Sequence, residues 1–331
     1  MNVRTNSLTF SRIRGQAARI GLCLGVACAS LLSPVSLAAQ SAETPAAASV
    51  VPQKSFATPE EACEALIIAA ERYDIPALKE ILGPDGADLV VTEDPVQDRN
   101  NAAAFAAQAR VKTRVERNPE NRSVASLVVG AEDWPVPIPV IEDRGTWRFD
   151  SQAGRQEIRN RRIGRNELDA IELCHVFVAA QHEYASQKRD GALVNQYAQR
   201  IVSTPGKQDG MAWQAADGTW QGPLGEELAH AIADGYSDRR EPFRGYFFKI
   251  LKGQGPAAPL GEMDFVIKGV MIGGFALVAA PSDHRVTGVK TFIVSHDGIV
   301  YEKDLGPKTL EQFSAMDRFN PDPTWNPVTN P

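Results

Sequence analysis

Gly154 to Lys188 reads GRQEIRNRRIGRNELDAIELCHVFVAAQHEYASQK, and its spacing predicts one long helix. The first half is strongly basic, with Arg155, Arg159, Arg161, Arg162 and Arg165. The second half is apolar on two faces. Leu168, Ile171 and Val178 form one stripe; Leu173, Phe177, Ala180 and Tyr184 form another. A helix that is apolar on two sides is expected to be covered on two sides. Residues 153–189 therefore read as a spine with a structural region before it and another after it.

The region before the spine changes period once. Thr58-Pro59-Glu60-Glu61 is a helix start: a capping threonine, a proline at the first position and a glutamate to close the box. Ala62, Leu66, Ala69/Ala70 and Tyr73 continue at helical spacing. A second short helix is expected over Ala77–Leu82 and a third over Asp98–Arg110. Then come four runs rich in β-branched and aromatic residues: Val111–Arg117, Ser123–Gly130, Val136–Ile141 and Thr146–Asp150. Asn118-Pro119-Glu120-Asn121 and Glu142-Asp143-Arg144-Gly145 separate them as turns, the signature of an antiparallel meander. After the spine, residues 190–240 read as loop-rich, with a helix over Glu226–Asp234. Strands follow at Tyr246–Leu251, Met263–Lys268, Gly274–Ala279, Val289–Ser295 and Ile299–Lys303, the last two joined by the hairpin dipeptide Asp297-Gly298. The tail around Trp325 is expected to be extended and docked by that tryptophan. The fold class is α+β: N-terminal helices plus an antiparallel meander, a long spine helix and a C-terminal antiparallel sheet.

The N-terminus carries an address. Arg4, Arg12, Arg14 and Arg19 precede an apolar run from Ile20 to about Leu32, and small residues follow at Ser36-Leu37-Ala38-Ala39. This is the pattern of an export signal over residues 1–39, with a mature start near Ala39 or Gln40. The apolar run is too short for a lasting membrane anchor, and no later stretch reaches the ~20 apolar residues of a membrane helix. Residues 40–53 read as a flexible leader, 54–152 as a cone-like α+β domain and 190–331 as a loop-rich segment followed by a β domain. The chain has 35 basic and 41 acidic side chains; without the four arginines of the signal, 31 basic side chains face the same 41 acidic ones. That balance argues against nucleic acid, whose phosphates need a cationic face. It suits an exported protein of the periplasm or the outer cell surface, with an envelope protein or polymer as partner. Cys23 and Cys28 leave with the signal. Cys63 and Cys174 remain, and an oxidising compartment permits a disulfide between them, with two buried free thiols as the alternative.

Three local patterns carry a family resemblance. They are Trp134-Pro135-Val136-Pro137-Ile138-Pro139 with Gly145-Thr146-Trp147-Arg148-Phe149-Asp150; Ser203-Thr204-Pro205-Gly206-Lys207; and Ile272-Gly273-Gly274-Phe275-Ala276-Leu277 leading to Asp297-Gly298-Ile299-Val300-Tyr301-Glu302-Lys303-Asp304-Leu305-Gly306. Together they resemble a bacterial family of exported proteins catalogued as domain of unknown function 2950. The resemblance spans nearly all of residues 54–330 and implies no catalytic residues. Within it, the first half is similar in pattern to SnoaL-like and nuclear-transport-factor-like cone folds. The last half is similar to the globular sheet of type IV pilins, although the chain lacks the pilin cleavage signal.

Candidate chemistry is sparse. No histidine precedes His175, so a histidine-based site within the first domain alone is excluded. Glu172 and His175 stand one helical turn apart, with His182 two turns further along. They are weak candidates for acid–base work at the seam near the 203–220 loop; as metal ligands they make at most half a site. Arg155, Arg159 and Arg162 line one helix face, which could hold an anionic headgroup or acidic glycan or simply make salt bridges. Trp213, Trp220 and Tyr236 flank a loop with Asp217, Glu226 and Glu227, an arrangement that could stack and cleave a sugar, but adjacent carboxylates at 226 and 227 diverge. Ser203–Lys207 with Asp209-Gly210 lacks the order of a phosphate loop and reads as a structured turn. No motif calls for a metal or cofactor. The leading expectation is a non-enzymatic binding or assembly protein. The alternatives are a periplasmic hydrolase of an envelope polymer and a carrier of a lipid or small molecule, the last predicting an empty apolar cavity lined by Leu66, Phe105 and Trp147.

Overall fold

A computed structural model describes residues 52–92, 94–225 and 242–329. The expected helix over Glu226–Asp234 lies outside them, as do Tyr236, the signal and nearly all of the leader. The described residues form one compact unit.

The first half begins with α1 (Pro59–Glu71), α2 (Ile75–Leu82), a 3-10 turn (Pro84–Leu89) and α3 (Pro95–Val111). Each α-helix has a side-chain cap and a proline in its first turn. Glu61 N–H donates to Thr58 Oγ1 at 3.1 Å, and Glu61 reaches back to the Ala57 N–H, one residue before the usual box partner. Asp74 caps α2, and Asp94 accepts from the Val96 and Gln97 N–H groups of α3. An antiparallel sheet follows: β1 (Thr113–Arg117), β2 (Val124–Val129), β3 (Trp134–Pro135), β4 (Val140–Asp143) and β5 (Thr146–Phe149), in the order β1-β2-β4-β5 with β3 also on β2. Of the strand expected over Val136–Ile141 only Val140 and Ile141 are strand; residues 136–139 link β3 to β4. Pro137 and Pro139 have no N–H for a ladder, so pairing stops at Pro135 and resumes at Val140.

The spine is α4 (Ser151–Ala185), capped by Asp150. It serves two hydrophobic clusters in succession along its length, not on opposite faces. Its first turn meets the first half: Ser151 Oγ donates to Leu82 O, and Gly154 lies so close to Ile138 that a Cβ would sit 2.7 Å from its side chain. Its second half buries Ala170, Cys174, Phe177, Ala180 and Tyr184 in the second cluster. The expected stripe Leu168–Ile171–Val178 is a correction: Leu168 is 59% exposed, and Ile171 and Val178 are half-buried flanks.

Residues 200–221, read from sequence as loop, hold a small sheet. Its strands are β6 (Arg200–Val202), β7 (Gly210–Gln214), parallel to β6, and β8 (Trp220–Gln221), antiparallel to β7. Thr204 donates its N–H and hydroxyl to the Asp209 carboxylate, closing the turn between β6 and β7. The second half continues with β9 (Tyr246–Leu251), four two-residue strands β10 (Gly253–Gln254), β11 (Met263–Asp264), β12 (Val266–Ile267) and β13 (Val270–Met271), then β14 (Ala276–Pro281), β15 (Thr291–Ser295) and β16 (Val300–Lys303). A helix not anticipated from sequence, α5 (Thr309–Ala315), precedes β17 (Arg318–Phe319) and β18 (Asn326–Pro327). The main sheet runs β18-β16-β15-β14-β9, all antiparallel. Asp297 holds the β15–β16 hairpin by accepting from Ser295 Oγ and the Ile299 N–H. The run Met263–Lys268 is not one strand. Phe265, fully buried, turns the chain so that β11 pairs with β10 and β12 with β13. Trp325 docks the tail, 8% exposed against the second cluster.

Candidate functional site

An apolar recess lies in the first half, between α1, α2, the 3-10 turn and α3. Leu66 and Ala70 come from α1, Leu78 and Leu82 from α2, and Ala102 and Phe105 from α3; Val136 and Ile138 line it from the proline-broken link of the sheet. Its volume is about 220 Å³. An engineered apolar cavity of about 150 Å³ holds benzene, so this space suits an aromatic ring or a short aliphatic tail. The opening follows from composition. The face α3 turns inward is built from alanines, with Ala106 and Ala109 buried, and such short side chains cannot fill the gap to α1.

One end of the recess is polar. Asp98, 7% exposed, accepts from the Thr92 N–H at 2.7 Å and from Thr92 Oγ1 at 2.8 Å. It sits in the first turn of α3, where the helix dipole favours a negative charge. A carboxylate has about four acceptor positions, so two remain for a ligand hydroxyl or amine. Asn101 lies beside it and is bonded to Gln97. The sequence named Leu66 and Phe105 as cavity lining, and both line it. Trp147, named with them, does not. It is 4% exposed within the first cluster, with the Arg117 guanidinium 5.1 Å over its ring.

The other candidates are scattered. Glu172, His175 and His182 are exposed on α4. The His182 ring meets Phe275 and Tyr197 edge-on, at 5.3 and 6.3 Å between centroids. The seam beneath them is lined by Leu173, Phe177, Ile201, Met211, Leu224, Phe248 and Leu277, and leaves about 20 Å³. Arg155 donates to Asp85 O and Asp88 Oδ1, and Arg162 to Val286 O; Arg159 lies half-buried between them. That face ties α4 to its neighbours on both sides. Trp213 pairs across β7–β8 with Gln221, and Trp220 with Gln214. Cross-strand partners share a face and neighbours alternate, so the two tryptophans point to opposite sides and make no common platform. Among the described residues, no group of three or more His, Cys, Asp or Glu side chains could hold a metal ion.

Cys63 and Cys174 correct the disulfide expectation. Both are free: Cys63 sits in the first cluster and Cys174 in the second. Burial pushes each thiol up to about 12, with Glu60 adding to the effect at Cys63. His284 lies in the loop between β14 and β15. It reaches Asp304 at 2.8 Å and ties the β14–β15 loop to the turn after β16.

No helix among the described residues is long and apolar enough to cross a membrane. Neither the curated proteins nor the solved structures contain a match, so the cone-like and pilin-like likenesses rest on sequence pattern alone. The family model described as "Protein of unknown function (DUF2950)" matches residues 53–328, which takes in the recess, the spine and both five-stranded sheets, and the chain therefore belongs to that family.

Proposed function

We propose that this is an exported cell-envelope protein that acts by binding, and that its first-half recess takes a small apolar group. The observation that carries this is the recess: a space of about 220 Å³ walled by leucines, alanines and a phenylalanine, with Asp98 at one end to orient a hydroxyl or amine. Ligand pockets are concave and mostly apolar, with a few placed polar groups. Export is supported by the arginine-led apolar run and the small residues at 36–39. A hydrolase acting on an envelope polymer would need Glu172, His175 and His182 to converge. Their exposure on α4 above an apolar seam favours the binding reading.

Native mass spectrometry of the protein, taken gently from the envelope of its own host, tests both parts. The denatured mass should correspond to a chain starting near Ala39 or Gln40. The native mass should exceed it by a small ligand, and Ala102→Phe, which fills the recess, should abolish the excess. A full-length mass would defeat the export reading. A bare native mass, together with no uptake of a small aromatic such as indole, would defeat the recess reading.

A further inference from the structure

Arg189, just past the end of α4, is held between two rings. Its guanidinium carbon lies 4.9 Å from the centroid of Tyr184 and 4.7 Å from that of Trp213. Ring faces attract a cation and fix its plane, but they do not satisfy its in-plane N–H groups. The Arg189 Nε is buried with no hydrogen-bond partner. Arg155 has a buried, unpartnered Nε as well, but its Nη2 is paired with Asp88, whereas among the described residues no carboxylate pairs with the Arg189 guanidinium. A buried donor without an acceptor is a cost that a folded chain normally avoids.

Arg189 lines an open recess of about 700 Å³ in the second half of the chain. Lys207 stands on the same wall. Of the two acids there, Asp209 is already matched: it accepts from Thr204 and lies 3.8 Å from Arg200. Asp190 accepts from the Gln208 N–H. Two cations thus face one acid without a cationic partner. Beside the polar lining, which includes Gln196 and Gln208, lies an aliphatic strip open to solvent: Leu193 is 89% exposed and Val194 48%, with Val270 also lining the recess. The Arg189 Nη groups, unlike the enclosed Nε, are not buried and make no hydrogen bond, and these reachable donors beside uncovered aliphatic side chains match an amphiphilic anion. A carboxylate fits the guanidinium fork in a bidentate way that a spherical ion cannot.

We propose that this recess binds an aliphatic carboxylate, the head on Arg189 and the chain over Leu193 and Val194. The site is separate from the α1–α3 recess and does not depend on the reading given to it.

The test is calorimetric titration of the mature protein with octanoate, 1-octanol and acetate at low ionic strength. Octanoate should saturate a site, with 1-octanol and acetate each binding at least tenfold more weakly. Arg189→Gln should weaken octanoate at least tenfold, and Ala102→Phe should leave it unchanged. Octanol matching octanoate in the Ala102→Phe variant, whose α1–α3 recess is filled, would overturn the proposal, because the anion would then contribute nothing. Acetate matching octanoate would overturn it too, because the aliphatic wall would be idle. Octanoate binding lost in Ala102→Phe but kept in Arg189→Gln would assign the ligand to the α1–α3 recess and refute this site. If Arg189→Gln does not fold, Leu193→Glu on an exposed side chain replaces it: a tenfold loss supports the site and an unchanged affinity overturns it.

Discussion

The two hydrophobic clusters are filled differently. In the first, α1 contributes Ala62, Ala69 and Ala70 and α3 contributes Ala109, and about 220 Å³ stays open between these helices and their neighbours. In the second, Phe177, Phe248, Phe265, Phe275, Phe292, Phe319 and Tyr246 close around β14, whose six residues are all buried, and the seam under α4 keeps about 20 Å³. Small side chains bring helices close without filling the space between them, whereas aromatic ones fill it. The first region is therefore built to leave room and the second to exclude it.

The sharpest way to break this contrast is a pair of opposite substitutions. Phe275 is fully buried against Phe177 and Tyr197, with ring centroids at 5.6 and 4.8 Å. Phe275→Ala should cost about 3–5 kcal/mol in urea unfolding. Ala102→Phe in the open recess should cost less than about 1 kcal/mol, because it enters existing space and displaces no packed atoms. Equal losses would mean the first region is as tightly packed as the second.

Next in size is the fastening of α4. Gln181, fully buried, donates to Ala198 O and accepts from the Ala198 N–H, both at 2.8 Å. Gln181→Leu should cost about 2–4 kcal/mol, since both backbone groups lose their partner where water cannot reach. Faster amide exchange at Ala198 is the accompanying signature, and an unprotected Ala198 in the wild type would remove the basis for it.

A smaller effect is expected at the polar end of the recess. Thr92→Val removes the hydroxyl that Asp98 accepts from and should cost about 1 kcal/mol, with Asp98 still bonded to the backbone N–H. Loosening confined to α3, read by exchange, would show that this carboxylate fastens one wall of the recess. Global destabilisation would join the two regions into one cooperative unit.

The smallest effects are those of pH. Burial opposes ionisation of Asp304, but hydrogen bonds from the Gly306 N–H and His284, with the charges of His284 and Arg285, outweigh it and hold the carboxyl below its ordinary 3.8. At Asp209 burial is likewise outweighed, by the Thr204 hydrogen bonds and the Arg200 charge. A lowered carboxyl contributes stability above its unfolded value that is lost as pH falls through the folded one. Unfolding midpoints should therefore drop below about pH 4, and Asp304→Asn should flatten that drop slightly. The buried thiols act at the other edge. Their raised values give stability that is complete below the unfolded thiol range and lost as pH rises above it. Neither Cys63 nor Cys174 should react with a thiol reagent at pH 8 until the chain unfolds; a rapid native reaction would contradict their burial.

Much of the fold was legible because its signals are local. Thr58-Pro59-Glu60-Glu61 opens α1, Asp297-Gly298 turns β15 into β16, and the apolar stripe through Phe177 and Tyr184 marks the buried side of α4. The run Val136–Ile141 was misread as one strand: the missing N–H groups of Pro137 and Pro139 keep residues 136–139 out of the ladder. The strands at 200–221 and α5 were not legible because each, at two to seven residues, is too short to show a period. Of the candidate site, Leu66 and Phe105 were readable as cavity lining, while Thr92–Asp98 was not, since a lone threonine and aspartate resemble any helix start.

By itself, then, the sequence determined the periods, the caps, the turns and the order of helix and strand, all of which act over a few residues. Only the tertiary structure decided what remains empty and what is kept apart. A recess is the volume left when side chains from α1, α2, α3 and residues 136–138 are brought together, and no segment carries that difference alone. The separation of Cys63 from Cys174, the opposite faces of Trp213 and Trp220 and the clamping of Arg189 between two rings are likewise distances between elements. The packing of large and small side chains sets them, and local propensity is silent about them.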